Sequence, residues 1–166
     1  MSTSKSTDET RWLDEAEGSA WMQLVTTVMW MPSALDLQLQ RYAGISHFEY
    51  AVLAALSEQE GRSMRLRDLA RLANSTLSRL SKVVDRLSNE GWIERRPDPD
   101  DGRATLGVLT EAGWGKVVET APGHASYVRE LIFDKLTRAE VQQLGTIASK
   151  IAGAVGPTGA CSGKIR

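Results

Sequence analysis

Three arginines, Arg95, Arg96 and Arg103, flank an acidic, proline-bearing tip in the stretch RRPDPDDGR, which lies between two short apolar segments. A guanidinium is permanently charged and presents a planar fork of donors that fits phosphate oxygens or the edge of guanine. Upstream, Ser75, Thr76, Ser78, Arg79 and Lys82 gather hydroxyls and cations into one short run. These side chains are of the right length for phosphates and bases, and Arg79 could bond guanine bidentately. The bland alternative is a solvated helix face beside a surface turn, with Arg79, Lys82 or Arg86 pairing to Asp85 or Glu90.

Other chemistries have little to work with. His47 and His124 are far apart in the sequence and neither sits in a catalytic pattern, so no enzyme is expected. The single cysteine, Cys161, cannot form an internal disulfide, and two histidines with no second thiol make a poor zinc site. No metal or cofactor is expected. The stretch GACSGK imitates a phosphate loop, but the required Gly and Ser/Thr positions hold Thr158 and Ile165, which rules it out.

The arginines need elements to present them. Apolar residues at three- and four-residue steps, Leu13, Ala16, Ala20, Leu24, Val28 and Met31, predict a long helix over Asp8–Met31, which Pro32 should kink or end, and a further helical run to Tyr42. Ser46 with Glu49 is a capping-box signature ahead of Phe48, Val52, Leu53 and Leu56, a helix ending near Gly61. A short helix at Leu66–Ala73 precedes a second, capped by Asn74 or Ser75 and running to about Glu90. At about 100° per residue this second helix packs Leu77, Leu80, Val83, Val84 and Leu87 and turns Ser75, Ser78, Arg79, Lys82 and Arg86 outward.

The segments WIERR and ATLGVLT, joined by turn chemistry from Pro97 to Gly102, read as a hairpin. From Thr110 the pattern returns to helix: about Glu111 to Ala121, an interruption at Pro122-Gly123, continuation to Leu136, and a last helix opened by Thr137 and Glu140. The fold class is therefore mainly α with a small β-hairpin.

Two short helices joined by a tight turn, the second basic on its free face, satisfy the needs of a helix-turn-helix, whose second helix enters the major groove. A hairpin beside it would let Arg95 and Arg96 reach phosphates and Arg103 enter the adjacent minor groove. Asp101, two positions away, could fix the Arg103 guanidinium by a charge-assisted hydrogen bond.

Composition agrees. The chain has 166 residues, 42% of them hydrophobic, enough for one domain with its own core. Its net charge of −1 hides an uneven distribution: about −6 over Met1–Glu60, about +3 over Gly61–Arg103 and about +2 beyond. No stretch reaches the roughly 18 apolar residues of a membrane span, and MSTSKSTDET lacks the basic-then-apolar order of a secretory signal, so a cytoplasmic location is expected. Residues 1–7 and 155–166, poor in large apolar side chains, read as disordered tails around a single domain over 8–154.

The run from Leu66 to Gly113 closely resembles the winged helix-turn-helix of the MarR family of bacterial transcriptional regulators. Asp98-Pro99, Asp101, Arg103, Leu109-Thr110 and Gly113 match the family's DP-x-D-x-R … LT-x-x-G pattern. The resemblance implies a winged helix over about 46–110 and dimerisation helices over about 8–43 and 111–154. It also implies a homodimer that binds a pseudo-palindromic DNA operator as a repressor. In its terms Arg103 is the minor-groove arginine, Asp101 its orienting acid, and Ser75, Thr76, Ser78, Arg79 and Lys82 the recognition segment. Gly102 departs from it, since many relatives carry a second arginine there. Family members commonly respond to small aromatic or phenolic anions, others to thiol oxidation or zinc. Here Cys161 is badly placed for redox sensing, and Trp12, Trp30, His47 and Tyr50 are the candidate effector contacts. A winged helix serving protein contacts instead of DNA, and a regulator without a ligand, are the alternatives.

Overall fold

The computed structural model describes residues 10–156. The expected tails lie outside these residues except for Val155 and Gly156, as do Cys161 and the rejected phosphate-loop stretch.

Helix α1 (Glu15–Ala43) opens where Glu17 N–H donates to Asp14 Oδ1 at 2.8 Å and Asp14 N–H donates to Glu17 Oε2 at 3.0 Å. It starts later than the Asp8 expected from periodicity, so Trp12 precedes the helix and Trp30 lies within it. It also runs unbroken through Pro32, where a kink or stop was predicted. Proline deprives the carbonyl four residues earlier of its donor. Here that residue, Val28, is exposed, as is Pro32 itself, so water can replace the lost bond. The interruption expected at Pro122 is absent for the same reason, since Pro122 and Val118 are both exposed inside a continuous helix.

The chain divides within α1 into two units, at Ala34 and Leu35. In the first, Trp12, Leu13, Met22, Val28, Met29 and Trp30 are each at least 60% exposed.

The second unit begins with the end of α1 and continues with α2 (His47–Ser57), a 3-10 turn at Glu60–Arg62, β1 (Ser63–Arg65), α3 (Leu66–Leu72) and α4 (Leu77–Asn89). It closes with β2 (Ile93–Pro97), β3 (Thr105–Leu109), α5 (Glu111–Leu131), a 3-10 turn at Phe133–Lys135 and α6 (Arg138–Val155). The capping boxes of Ser46 with Glu49 and Thr137 with Glu140 form as the sequence implied. The expected hairpin gains a third strand. The antiparallel sheet has the order β1-β3-β2, with Arg65 opposite Leu106 and Pro97 opposite Thr105. Three residues are too few for a period-2 signal, which is why β1 was invisible in the sequence. The helix expected to reach Leu136 stops at Leu131 and hands over to the 3-10 turn.

The core gathers Val52, Leu53 and Leu56 from α2, Leu66 and Leu69 from α3, and Leu80, Val84 and Leu87 from α4. Ile93, Leu109 and Val117 complete it from the sheet and α5. Leu77, expected among them, is half exposed: it opens α4 at the edge of the core and lines a surface cleft beside the wing.

The LT-x-x-G stretch fixes how α5 leaves the sheet. Leu109 enters the core, and the Thr110 hydroxyl donates to Gly91 O at 2.7 Å and accepts the Gly113 N–H at 3.0 Å, capping α5. Gly113 must be glycine, because a Cβ there would lie 2.1 Å from the Trp92 carbonyl oxygen. At Gly123 a Cβ would meet the Tyr42 ring at 2.3 Å, a milder constraint, because that exposed side chain can move aside where the Trp92 backbone cannot.

Candidate nucleic-acid interface

Helix α4 forms because an apolar stripe at helical spacing meets a good cap. That cap is Thr76, whose hydroxyl accepts the Arg79 N–H at 3.2 Å, and not the expected Asn74 or Ser75. Asn74 instead takes φ = 46°, a left-handed conformation that asparagine tolerates, and makes the turn from α3. Ser75 and Thr76 thus sit in the turn, while Ser78, Arg79 and Lys82 lie exposed along α4. Leu80, Val84 and Leu87 on the opposite side are buried. The Arg79 guanidinium rests over the Phe48 ring, 4.7 Å from its centroid, leaving its edge free to donate. Arg86 is exposed as expected and also pairs at 2.8 Å with the buried carboxylate of Glu49, which accepts the Ser46 N–H at 2.7 Å.

The hairpin stands next to α4, and its arginines divide by role. Arg95 turns inward: one guanidinium nitrogen donates to Ser81 O (2.9 Å), Ser81 Oγ (2.8 Å) and Asp85 Oδ1 (2.7 Å). It ties β2 to α4. Arg96 is exposed and pairs with Glu94 at 2.7 Å. Arg103 is exposed at the tip and makes no ion pair among the described residues.

The tip is held differently from the sequence expectation. Asp101 accepts the backbone N–H of Arg103 at 3.1 Å, shaping the turn, and makes no bond to the guanidinium. A two-residue separation in a tight turn brings the carboxylate to the backbone first. The structural acid is Asp98, only 6% exposed, which accepts the Asp100 N–H at 2.9 Å and pairs with Arg65 at the end of β1. These two contacts, the backbone bond first, hold its carboxyl below the usual carboxylate range. Arg65 was not legible as its partner, being far away in sequence and on a strand too short to predict.

A second polar grouping lies where the end of α1, α2 and α5 meet. The Tyr50 and His124 rings meet edge to face at 4.9 Å, and His47 lies 6.3 Å from His124. His124 Nδ1 is 3.2 Å from Gln38 Oε1, and the His47 N–H donates to Asp36 Oδ1 at 2.8 Å. Burial lowers the pKa of both imidazoles; Asp36 opposes this at His47, and the His47 charge adds to it at His124. Burial raises that of Tyr50. His124 and Gln38 were not among the sequence candidates. In the first unit, Trp12 and Trp30 stand open to solvent.

A sequence model of the MarR family matches residues 45–105, the span from the start of α2 to the wing. The structure is similar to that of Sco3205, a MarR family transcriptional regulator from Streptomyces coelicolor solved in complex with DNA. The TM-score is 0.81 at 38% identity, covering 88% of this chain and 95% of that one. The chain belongs to the MarR family. AbsC, a MarR family regulator of the same organism, aligns with a TM-score of 0.80 at 32% identity, over 88% of this chain and 98% of that one. The transcriptional repressor MprA of Escherichia coli is 30% identical over 108 residues, 65% of this chain. The match spans 61% of MprA's length. MarR proteins are transcriptional regulators, not enzymes. No helix among the described residues is long and apolar enough to cross a membrane.

Proposed function

We propose that this MarR protein is a DNA-binding transcriptional regulator, a repressor that holds a pseudo-palindromic operator as a homodimer. The observation that carries the reading is the exposed cationic surface formed by Arg79 and Lys82 on α4 beside Arg103 of the wing, which makes no ion pair among the described residues. In this reading α4 enters the major groove and Arg103 the adjacent minor groove, with Ser75, Thr76 and Ser78 at phosphates or bases. Arg96 reaches phosphate by exchanging Glu94 for it. Arg95 braces the wing against Ser81 and Asp85 of α4, a task other than the direct contact its sequence position suggested. Sco3205, solved with DNA, lends the reading its nearest parallel among the similar structures described.

The dimer reading draws on α6, none of whose 18 residues is buried although it carries Leu144, Ile147 and Ile151. The exposed apolar residues of the first unit support it independently. Half-sites read by two symmetric heads lie about 34 Å apart, one DNA turn. A small aromatic or phenolic effector is supported by the His47–Tyr50–His124 grouping, where two imidazoles of lowered pKa and a phenol offer donors and acceptors beside ring faces. Trp12 and Trp30 remain candidate contacts on their residue type alone.

Fluorescence anisotropy with the DNA preceding the protein's own gene, at several salt concentrations, tests the proposal. Expected are tight binding relative to an unrelated duplex, a log K against log[salt] slope of several units at about −0.9 per phosphate, and marked weakening by Arg103→Ala. Equal weak binding of both duplexes, indifferent to Arg103→Ala, favours a winged helix that contacts proteins.

A further inference from the structure

Between α3, α4 and the wing lies a cleft of about 380 Å³ whose lining includes four arginines, Arg65, Arg67, Arg95 and Arg103, against one acid, Asp101. The four guanidiniums are not equivalent. Arg65 is fixed by Asp98, and Arg95 by Ser81 and Asp85. Arg67 and Arg103 make no ion pair among the described residues, and both are exposed. Two anchored cations thus form rigid walls, and two free ones remain to meet an anion.

The position of the cleft says which anion. If α4 lies in a major groove and the wing tip in the neighbouring minor groove, one sugar-phosphate strand must pass between them, because a single strand separates adjacent grooves of a duplex. The space between α4, represented by Leu77 and Ser81, and the wing, represented by Arg103 and Thr105, is this cleft. Its far wall is the start of α3, which brings Arg67. Guanidinium donors match phosphodiester oxygens in geometry as well as charge.

We infer that this cleft seats the phosphodiester strand dividing the two grooves, with Arg67 as a direct phosphate contact and Arg65, held by Asp98, as the residue that positions the wall beside it. This rests on the DNA-binding reading above and adds a site to it. Arg67 contributes affinity without sequence preference, whereas α4 reads bases.

The test is anisotropy of the full chain on the upstream duplex and on an unrelated one, wild type beside Arg67→Gln and Arg103→Ala, across a salt series. It is followed by a set of upstream duplexes in which single phosphates are replaced by neutral methylphosphonates. Expected for Arg67→Gln are roughly tenfold weaker binding to both duplexes and a salt slope smaller by about 1. One neutralised phosphate should weaken the wild type but not Arg67→Gln. Because Arg67 is exposed, its thermal melt should match the wild type, which separates loss of contact from loss of fold. Unchanged affinity and slope in Arg67→Gln, with Arg103→Ala still weakened, overturn the inference and leave the DNA-binding reading standing. If the wild type binds neither duplex with a salt-dependent affinity, that reading fails and the strand site falls with it. Inorganic phosphate, titrated against chloride at matched ionic strength, separates the other source of the same chemistry. Displacement of DNA by phosphate that Arg67→Gln abolishes, without a change in salt slope, overturns the strand placement and assigns the cleft to free phosphate.

Discussion

Helices α4 and α6 are both amphipathic, yet one buries its apolar side and the other leaves it bare. In α4, Leu80, Val84 and Leu87 are shut inside the core, and the opposite face carries free cations. In α6, Leu144 and Ile147 are exposed and no residue is buried, although its capping box is complete. Local sequence marks where each helix begins, whereas the packing of an apolar face supplies most of a helix's stability, and here it separates the two. The polar face of α4 is available because its other face already has a partner within the chain. The apolar face of α6 is covered by nothing among the described residues.

The comparison breaks most visibly at Leu80. Truncation by Leu80→Ala removes buried methyl groups from a packed core and should destabilise the protein by about 2–5 kcal/mol in urea unfolding. The equivalent truncation on α6, Ile147→Ala, should leave the unfolding of a dilute, monomeric sample nearly unchanged. If the two truncations cost the same in that sample, α6 is buried within its own chain and the contrast is lost.

A charge on the bare face sharpens the point. Ile147→Glu places a carboxylate where the proposed dimer seam requires an apolar side chain, and should weaken association by about 2 kcal/mol or more, some 30-fold in the dimer dissociation constant. Sedimentation velocity over a dilution series reads this directly. A sedimentation profile identical to the wild type's would mean that the partner, if there is one, sits elsewhere.

On the free side of the comparison, Arg103→Ala should cost about 1–3 kcal/mol in DNA affinity while shifting the melt hardly at all, the reverse of Leu80→Ala. Affinity and stability would then be carried by different residues of one small winged unit. A variant that lost both together would make Arg103 part of the fold.

Much of this was legible in the sequence because it is local. The capping residues Ser46 and Thr137 act over a few positions and cap where the pattern placed them, and most of the α4 stripe packs as expected, while the hairpin turn begins one residue later than expected because Pro97 still pairs in β2. What escaped was long-range or dependent on solvent. The pairing of Arg65 with Asp98 joins β1 to the wing, and Glu49 with Arg86 joins α2 to α4, across distances no periodicity reports. Pro32 and Pro122 looked like breaks because propensity does not record that the orphaned carbonyls face water. Arg95 looked like a phosphate ligand because its type was right, but its direction was set by Ser81 and Asp85. The candidate site was therefore readable as a region and only partly as a set of roles.

The smallest effect belongs to the first turn of α2, which touches both sides of the comparison. Phe48 and Glu49 meet Arg79 and Arg86 of α4, while Tyr50 and His47 lie near His124 of α5. Burial disfavours the charged form of both imidazoles, so their folded-state pKa values lie below the unfolded value of about 6.5. As pH falls through that value the unfolded chain binds protons first, and stability must fall until the folded-state values are passed. Above about pH 6.5 the penalty vanishes. Urea midpoints at pH 7.5 and 5.5 should accordingly differ in the wild type, with the lower midpoint in acid, and the gap should shrink in a His47→Asn/His124→Gln double variant. An undiminished gap would assign the acid sensitivity to other groups. A diminished one would assign the acid sensitivity to the two imidazoles packed at the first turn of α2.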